Sequence, residues 1–342
     1  MRRTMHARAF LITALVLLTA AMAWSLSRGT PNLSLAETWE ALLAHWGRGQ
    51  VEGNRALIVG GLRLPRMLVA LLAGASLALA GTTMQAVFKN PLASPEVMGT
   101  MMGAALGSVI AIVAGWSGRF VLATPICALV AAAVVSLVVW MVAAGPGGVS
   151  VTAILLAGVA MNSLLGAGVA FVTQAISANP YRSGEVLFWL MGGLESKSYS
   201  HAAIVGGGLL VFGIAIVPFV RELDLLTLRD DGAASLGVNV ALVRNTMLLS
   251  ACGLTATTVA NTGGIAFVGL VVPHFVRMIV GPAHRALLPC AAVGGALVLI
   301  VADGICRVLV TDVDLKLGVV TSALGAPFFL MLLWKHRRGE VL

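Results

Sequence analysis

Charged side chains are scarce in this chain. Only 11% of its 342 residues are Asp, Glu, Lys or Arg, whereas a soluble domain carries about 25%. Apolar residues make up 59% of the sequence, and the mean hydropathy is +0.97. Because a membrane helix needs about 20 mostly apolar residues to cross the bilayer, the composition excludes an ordinary soluble domain and predicts an integral membrane protein.

Cysteine and lysine are also rare, and their positions argue against several kinds of chemistry. The four cysteines lie in apolar runs without paired spacing, so we predict neither a disulfide nor a metal site. A phosphate-cradling loop needs Gly-Lys followed by Ser or Thr, and none of the four lysines follows a glycine. Without a nucleophile elbow or a paired acidic motif in the apolar runs, the sequence indicates no enzyme and no cofactor.

The apolar runs predict an all-α fold with ten transmembrane helices. The run 185–195 is too short to cross and is typical of a re-entrant or interfacial helix. An offset of five spans relates the block 66–176 to the block 244–335, which favours an inverted repeat. We expect the ten spans, to within several residues, at about 9–27, 66–88, 97–116, 120–144, 151–176, 201–220, 244–262, 265–281, 286–306 and 317–335.

The basic residues at the two ends of the chain predict its orientation. By the positive-inside rule both ends are cytoplasmic, which agrees with an even number of spans. The bias is weak over the whole chain, because Arg63 and Arg66 fall on the outer side, and an acidic partner there would account for them. The end residues are Arg2, Arg3, Arg8, Lys335, Arg337 and Arg338.

The first apolar run has an alternative interpretation as a cleaved signal peptide. Basic residues precede it, and Ala21-Met22-Ala23 resembles a cleavage site. The run 9–27 is longer than the usual signal core, however, and this favours a retained first helix.

A polar island at 221–243 carries too many charges to lie in hydrocarbon. Its apolar residues recur at helical spacing on either side of Asp231 and Gly232, which predicts two short amphipathic helices joined there. Such helices lie on a membrane surface or in the groove of another protein. We call 221–243 the coupling segment.

Asp303 is the only acidic residue well inside a predicted span, where a lone charge is costly. Arg307 follows four residues later on the same helical face. Two interpretations remain open: a structural ion pair, or an aspartate that holds Arg307 at the outer surface for a partner.

Small residues at four-residue spacing predict close helix packing. One series is Gly99, Gly103 and Gly107, and another is Gly158, Asn162, Gly166 and Ala170.

Several longer blocks, in order from about residue 60 to 335, resemble the ABC importer permeases for ferric siderophores, haem and cobalamin. Long blocks in a fixed order are far more specific than one short motif. The blocks are RLPR at 63–66, LLAGASLALAG at 71–81, MQAVFKNPLASP at 84–95, SLGV at 235–238, FVGLVVPH at 267–274, LLP at 287–289, GVVT at 318–321 and GAPFF at 325–329.

The resemblance implies a permease of a bacterial inner membrane that works as a homodimer, or with a paralogous permease, without nucleic acid. Two cytoplasmic ATP-binding subunits would drive it, and a periplasmic binding protein would deliver an iron chelate, haem or cobalamin. An anionic ferric siderophore is favoured by the outer positive charge. The coupling segment matches the family's two short helices that contact the ATPase, through Arg229, Asp230, Asp231, Gly232, Ala233, Ala234, Ser235, Leu236 and Gly237.

The resemblance also implies residues for docking and gating. Arginines that meet acidic residues of the binding protein align with Arg63, Arg66 and, less closely, Arg307, and the inner gate aligns with Val151 and Thr152. The chain departs from the family pattern at Arg229, Gly264, Ala266 and Lys316. The rival class is an ion-coupled carrier acting alone, which would need polar groups near mid-membrane.

Overall fold

The structure is a computed structural model that describes residues 2–48, 51, 53–145, 148–228, 230–309 and 315–337. In these residues the chain is a bundle of helices with one short β-hairpin. The hairpin pairs β1 (Ala144–Gly145) with β2 (Gly148–Val149). The α-helices are α1 (Arg2–Ser27), α2 (Leu35–His45), α3 (Leu64–Val87), α4 (Thr100–Val113), α5 (Ala123–Ala143), α6 (Val151–Ala175), α7 (Pro180–Leu190), α8 (Tyr199–Ile216), α9 (Val220–Leu226), α10 (Asp230–Ser235), α11 (Val240–Thr262), α12 (Val268–Val280), α13 (His284–Leu309) and α14 (Leu317–Arg337).

An apolar helix occupies each of the ten predicted runs. Among the described residues, seven helices are long and apolar enough to cross a membrane. The three shorter apolar helices are Thr100–Val113, Val268–Val280 and Leu317–Met331. The run predicted as re-entrant or interfacial overlaps α7, an 11-residue helix.

The second span starts earlier than the sequence predicted. A π-helical segment, Leu57–Arg63, leads directly into α3, and together they form a 31-residue span from Leu57. The sequence placed the start at about 66, to within several residues, whereas the helical path begins at Leu57. The guanidinium groups of Arg63 and Arg66 are paired inside the protein, so they do not end the helix.

The third predicted span starts later than expected. Pro95–Met98 forms a turn of 3-10 helix, and Gly99 then adopts a left-handed conformation (φ 75°) before α4 begins at Thr100. A left-handed residue breaks the helical path, and Gly adopts that conformation with little strain. The predicted span 97–116 therefore joins two elements.

Helix α3 lies at the centre of the bundle and contacts α8, α11, α12 and α13. At its crossing with α13, a Cβ atom on Gly74 would collide with the carbonyl of Gly295, and the reverse substitution would collide equally. Close approach of two backbones is what glycine permits in membrane helices.

The predicted small-residue series is only partly used for packing. Gly103 and Gly107 lie against α5, and Gly158 lies against the carbonyl of Val97. Gly166, by contrast, has open space beside its Cα.

Helix α1 packs into the same core as α3, α12 and α13. Its small and apolar residues at positions 7, 18 and 21 are buried there, and the ring of Trp24 fills the space beside Gly304 of α13. The first apolar run thus forms part of the packed bundle.

Candidate functional site

Polar groups gather at two ends of the bundle, and the first end surrounds a cavity of about 420 Å³. Five basic side chains and one acidic side chain line this cavity, so basic groups outnumber acidic groups along its wall. We call it the arginine cavity. Its charged lining residues are Arg28, Arg63, Arg66, Lys197, Arg307 and Glu195.

Arg63 is buried in the wall of the arginine cavity, with 7% of its surface exposed. Its guanidinium donates hydrogen bonds to the carbonyls of Leu26, Ser27 and Pro31, at and just beyond the end of α1. The last carbonyls of a helix lack partners within the helix. Arg63 therefore ties the end of α1 to the start of α3.

The Asp303 carboxylate pairs with Arg66 and Arg307. The carboxylate is 2.7 Å from Nη2 of Arg66 and 3.2 Å from Nε of Arg307. The predicted ion pair between Asp303 and Arg307 is thus confirmed. The contact with Arg66 was missed, because 237 residues separate the partners and local spacing carries no sign of it.

Arg307 makes further contacts with the end of α1. It donates to the carbonyls of Ser25 and Arg28 and to the Ser25 hydroxyl. All three arginines predicted for docking therefore lie together at this cavity, but each one also has partners within the chain.

Two lysines lie near the cavity. Burial lowers the pKa of Lys197 to about 8, although the nearby Glu195 acts in the opposite direction. Lys316, one of the departures from the family pattern, is 3.4 Å from Glu195 and lies over the ring of Phe188. It thereby links the start of α14 to α7 and to the loop that follows α7.

The second polar end contains the coupling segment, which forms two short helices, α9 and α10. The predicted junction at Asp231 and Gly232 was wrong, because both residues lie inside α10 and the break falls between Leu226 and Asp230. Asp224 on α9 accepts hydrogen bonds from the backbone and the ring of His284, at the start of α13. On α10, Ala233 is buried, whereas Asp231 and Ala234 are exposed, as is Leu236 directly after the helix. Arg229 lies outside the described residues. Besides Asp230, the remaining predicted coupling residues are Gly232, Ser235 and Gly237, of which the last two are exposed.

Asp230, the first residue of α10, is paired with two cations. Lys89, just after α3, approaches one carboxylate oxygen at 2.9 Å, and Arg244 on α11 approaches the other at 2.8 Å. The hydrogen bond from Arg244 is the main cause that holds the pKa of Asp230 below its usual value, and the hydrogen bond from Lys89 acts in the same direction. Sequence reasoning missed this cluster, although Lys89 lies in a block used for the resemblance and Arg244 directly follows the coupling segment.

The predicted gate residues lie next to this cluster. Val151 and Thr152 form the first turn of α6, which directly follows the hairpin, and the Ser150 hydroxyl caps that turn by accepting from the amide of Ala153. Arg244 donates a second hydrogen bond, of 3.3 Å, to the carbonyl of Val149 in the hairpin.

Apolar helices of membrane-spanning length, with polar groups gathered at their two ends, define a multi-pass membrane protein. The chain belongs to the FecCD transport family, which matches residues 16–335.

Curated relatives agree with this assignment. The hemin transport permease HmuU of Yersinia pestis is 38% identical, and the match covers 81% of this chain and 83% of that protein. The Fe(3+) dicitrate transport permease FecD of Escherichia coli is 36% identical, with 87% and 91% covered. The achromobactin transport permease CbrC of Dickeya dadantii is 37% identical, with 95% and 90% covered.

A solved structure agrees as well. It is described as a metal-chelate type ABC transporter in an inward-facing conformation, with a TM-score of 0.84 and 28% identity. The match covers 96% of this chain and 99% of that chain.

Family membership identifies the chain as the permease subunit of an ABC importer. ATP hydrolysis then belongs to separate ATPase subunits, and a substrate-binding protein is a further partner. The alternative of an ion-coupled carrier acting alone is not supported.

Proposed function

We propose that the chain imports an iron chelate, with a ferric siderophore as the preferred class, across a bacterial inner membrane. Haem and cobalamin are the competing substrates, since relatives are named for hemin, Fe(3+) dicitrate, achromobactin and cobalamin. The observation that carries the choice is the positive charge of the arginine cavity, which suits delivery of an anionic ferric chelate.

The arginine cavity is the proposed periplasmic docking site for the binding protein. Acidic side chains on that protein would meet the cluster that contains Arg63, Arg66 and Arg307. Contacts between arginine and carboxylate orient partners and speed their encounter more than they add affinity. Because Arg63 already binds three carbonyls, its proposed part in docking is to add to the positive potential.

The exposed side of α10 is the proposed contact with the cytoplasmic ATPase. Asp231, Ala234 and Leu236 face away from the bundle there, in the manner of an amphipathic helix laid in a groove. A rigid-body movement of the ATPase subunits would then move α10.

The proposed assembly contains two permease copies, each with ten spans, and two ATPase subunits. In this arrangement the three shorter apolar helices also cross, and α6 and α14 line the axis between the copies. Val151 and Thr152, at the start of α6, form the inner gate.

Uptake into proteoliposomes tests the substrate. The permease with its ATPase and binding protein is supplied in turn with radioactive ferric citrate, a ferric hydroxamate, haemin and cyanocobalamin. We expect ATP-dependent uptake of a ferric chelate. Uptake of haemin or cyanocobalamin alone would overturn the substrate proposal, and uptake without the ATPase would overturn the importer assembly.

Docking is tested by Arg66→Glu together with Arg307→Glu. Binding-protein association should fall by about tenfold or more in low salt, because reversing two positive charges removes electrostatic attraction that speeds the encounter. Thermal unfolding of the variant is measured alongside, since both arginines also pair with Asp303. Unchanged association in a folded variant would contradict the docking site.

A further inference from the structure

A continuous chain of polar contacts joins α10 to the hairpin that precedes the proposed gate. It starts at the Asp230 carboxylate, passes through the Arg244 guanidinium and ends at the carbonyl of Val149. The two contacts measure 2.8 and 3.3 Å. One side chain thus connects the first residue of the proposed ATPase contact with the last residue of β2.

Arg244 is suited to hold both partners in a fixed relation. Its guanidinium is planar, and two different nitrogens of the same rigid fork make the two contacts. The side chain is only 11% exposed, so water competes weakly for these hydrogen bonds. A lysine has a single ammonium on a flexible stem and does not reproduce the fork.

The hairpin is short enough to pass a displacement on to α6. Ala144 pairs with Val149 and Gly145 with Gly148. The amide of Ser150 bonds the carbonyl of Ala143, and the Ser150 hydroxyl caps α6. Only Ser150 separates the carbonyl held by Arg244 from the first turn of α6, where Val151 and Thr152 lie.

Lys89 binds the same carboxylate but leads elsewhere. It follows the end of α3, the central helix, and also donates to the carbonyl of Leu228. The Asp230 carboxylate therefore makes two separate contacts. The contact with Lys89 holds α10 against the end of α3, and the contact with Arg244 leads to the hairpin.

We propose that Arg244 is a positioning residue that transmits the movement of α10 to the hairpin and so to the gate at Val151 and Thr152. This proposal rests on the proposed contact between α10 and the ATPase. Neither Arg244 nor Val149 touches ATP or substrate in this scheme. Their role is to convert a displacement at one surface into a displacement at the start of α6.

The test follows the accessibility of a thiol at the gate. Thr152→Cys is introduced after the four native cysteines are replaced by Ala, and the permease is purified with its ATPase subunits. Labelling by a membrane-impermeant maleimide is timed with and without a non-hydrolysable ATP analogue. We expect nucleotide to change the labelling rate by about tenfold in this parent and by about twofold or less after Arg244→Ala.

Companion variants separate transmission from folding. Arg244→Lys should respond as weakly as Arg244→Ala, because it loses the fork, whereas Lys89→Ala should keep most of the response. Arg55→Ala removes an exposed arginine and carboxylate pair at a different position and should leave basal ATPase activity and the response unchanged. If Arg244→Ala does not assemble, Asp230→Asn replaces it and should lose the response.

A double variant provides a second criterion. Asp230→Ala with Arg244→Ala should lose no more of the response than either single change, since both cut the same connection. The proposal would be overturned if the losses in the double variant were additive. It would also be overturned by a full response in Arg244→Ala or in Arg244→Lys, or by an equal loss in Lys89→Ala.

Cross-linking from Ala234→Cys to the ATPase distinguishes the two levels of failure. If the cross-link forms and Arg244→Ala keeps its response, the transmission proposal fails while the ATPase contact stands. If no cross-link forms while thiols at other cytoplasmic positions do cross-link, the ATPase contact itself fails.

Discussion

At the scale of single residues, Asp303 is the most consequential charge in the bundle. Its side chain is 1% exposed, and it contacts the guanidinium groups of Arg66 and Arg307, which are 18% and 12% exposed. A buried carboxylate is tolerated only when it is paired, and so are buried cations. Asp303 thus makes it energetically acceptable to place two arginines beside each other.

Replacing Asp303 by Ala should lower the free energy of unfolding by about 3–5 kcal/mol, because two partly buried cations lose their counter-charge. Denaturant unfolding of the purified permease measures this change. Arg55→Ala is the matched control: its ion pair with Glu37 is solvent-exposed on both sides, and such pairs contribute little. Equal stability of the Asp303→Ala variant and the parent would contradict the role of Asp303.

Lys197 should react with amine reagents at an unusually low pH. Its pKa is lowered by burial to about 8, from an ordinary 10.5, so the neutral, reactive amine appears as pH rises through 8. Burial disfavours the charged form of Lys197 in the folded state. The free energy of unfolding should therefore rise as the pH increases from about 8 to 10.5. Acylation at pH 8, read by mass spectrometry, should modify Lys197 faster than Lys89, and the reverse order would refute the assignment.

At the scale of elements, backbone contact at glycine sets how closely α3 approaches its neighbours. Gly74 meets Gly295 on α13, and Gly81 meets the carbonyl of Gly269 on α12. Interfaces of this kind replace the hydrophobic effect that is missing between helices in lipid. The position of α3 in turn fixes the arginine cavity at one end and Lys89 at the other.

Gly74→Ala should destabilise the permease by about 1–3 kcal/mol, because the added methyl group meets backbone that does not move aside easily. Gly207→Ala on α8 is the control, since nothing lies within 4 Å of its added Cβ. Thermal unfolding of both purified variants compares them. The prediction fails if the two variants have the same Tm.

How far the sequence predicts these elements depends on whether the information is local. The apolar runs and the two helices of the coupling segment are local patterns, and helices occupy all of them. Helix α2 was not predicted, although Ser34 and Glu37 form a capping box at its start, because its 11 residues do not form an apolar run. The helix continues through Arg63 back to Leu57 because carbonyls distant in sequence satisfy that guanidinium, and a local pattern does not show such contacts.

The candidate sites are less predictable than the helices. Resemblance selected Arg63, Arg66 and Arg307, and they lie together in the structure. The partners of the charged residues could not be predicted from local sequence. The contact between Arg66 and Asp303 spans 237 residues, and the one between Lys89 and Asp230 spans 141. Only the folded chain brings such residues together.

At the scale of the whole molecule, the spans differ widely in how much of their apolar surface is buried within the chain. Only 22% of the apolar window of α6 is buried within the chain, against 78% for the span that contains α3. Large apolar side chains such as Leu156, Leu164 and Phe171 are exposed on α6. In a membrane such a surface faces either lipid or a second subunit, and the proposed assembly places the second subunit against α6.

Native mass spectrometry of the complex, co-expressed with its ATPase alone, should show two copies of the 35.2 kDa chain with two ATPase subunits. A closed two-fold dimer is the usual arrangement of identical subunits. A complex that carries one permease copy would contradict the homodimer. Recovery of a second, different permease from the native host would indicate the paralogous pair instead.

Arg63 and Arg307 both donate to carbonyls at the end of α1, but they are synthesised at different times during translation. The carbonyls at the end of α1 are bound partly by Arg63 and partly by Arg307, and Arg307 is translated about 280 residues later. During translation the end of α1 therefore gains one of these contacts early and the other only after most of the protein has entered the bilayer. Until then, the carbonyls of Ser25 and Arg28 lack the partner that Arg307 provides in the finished fold.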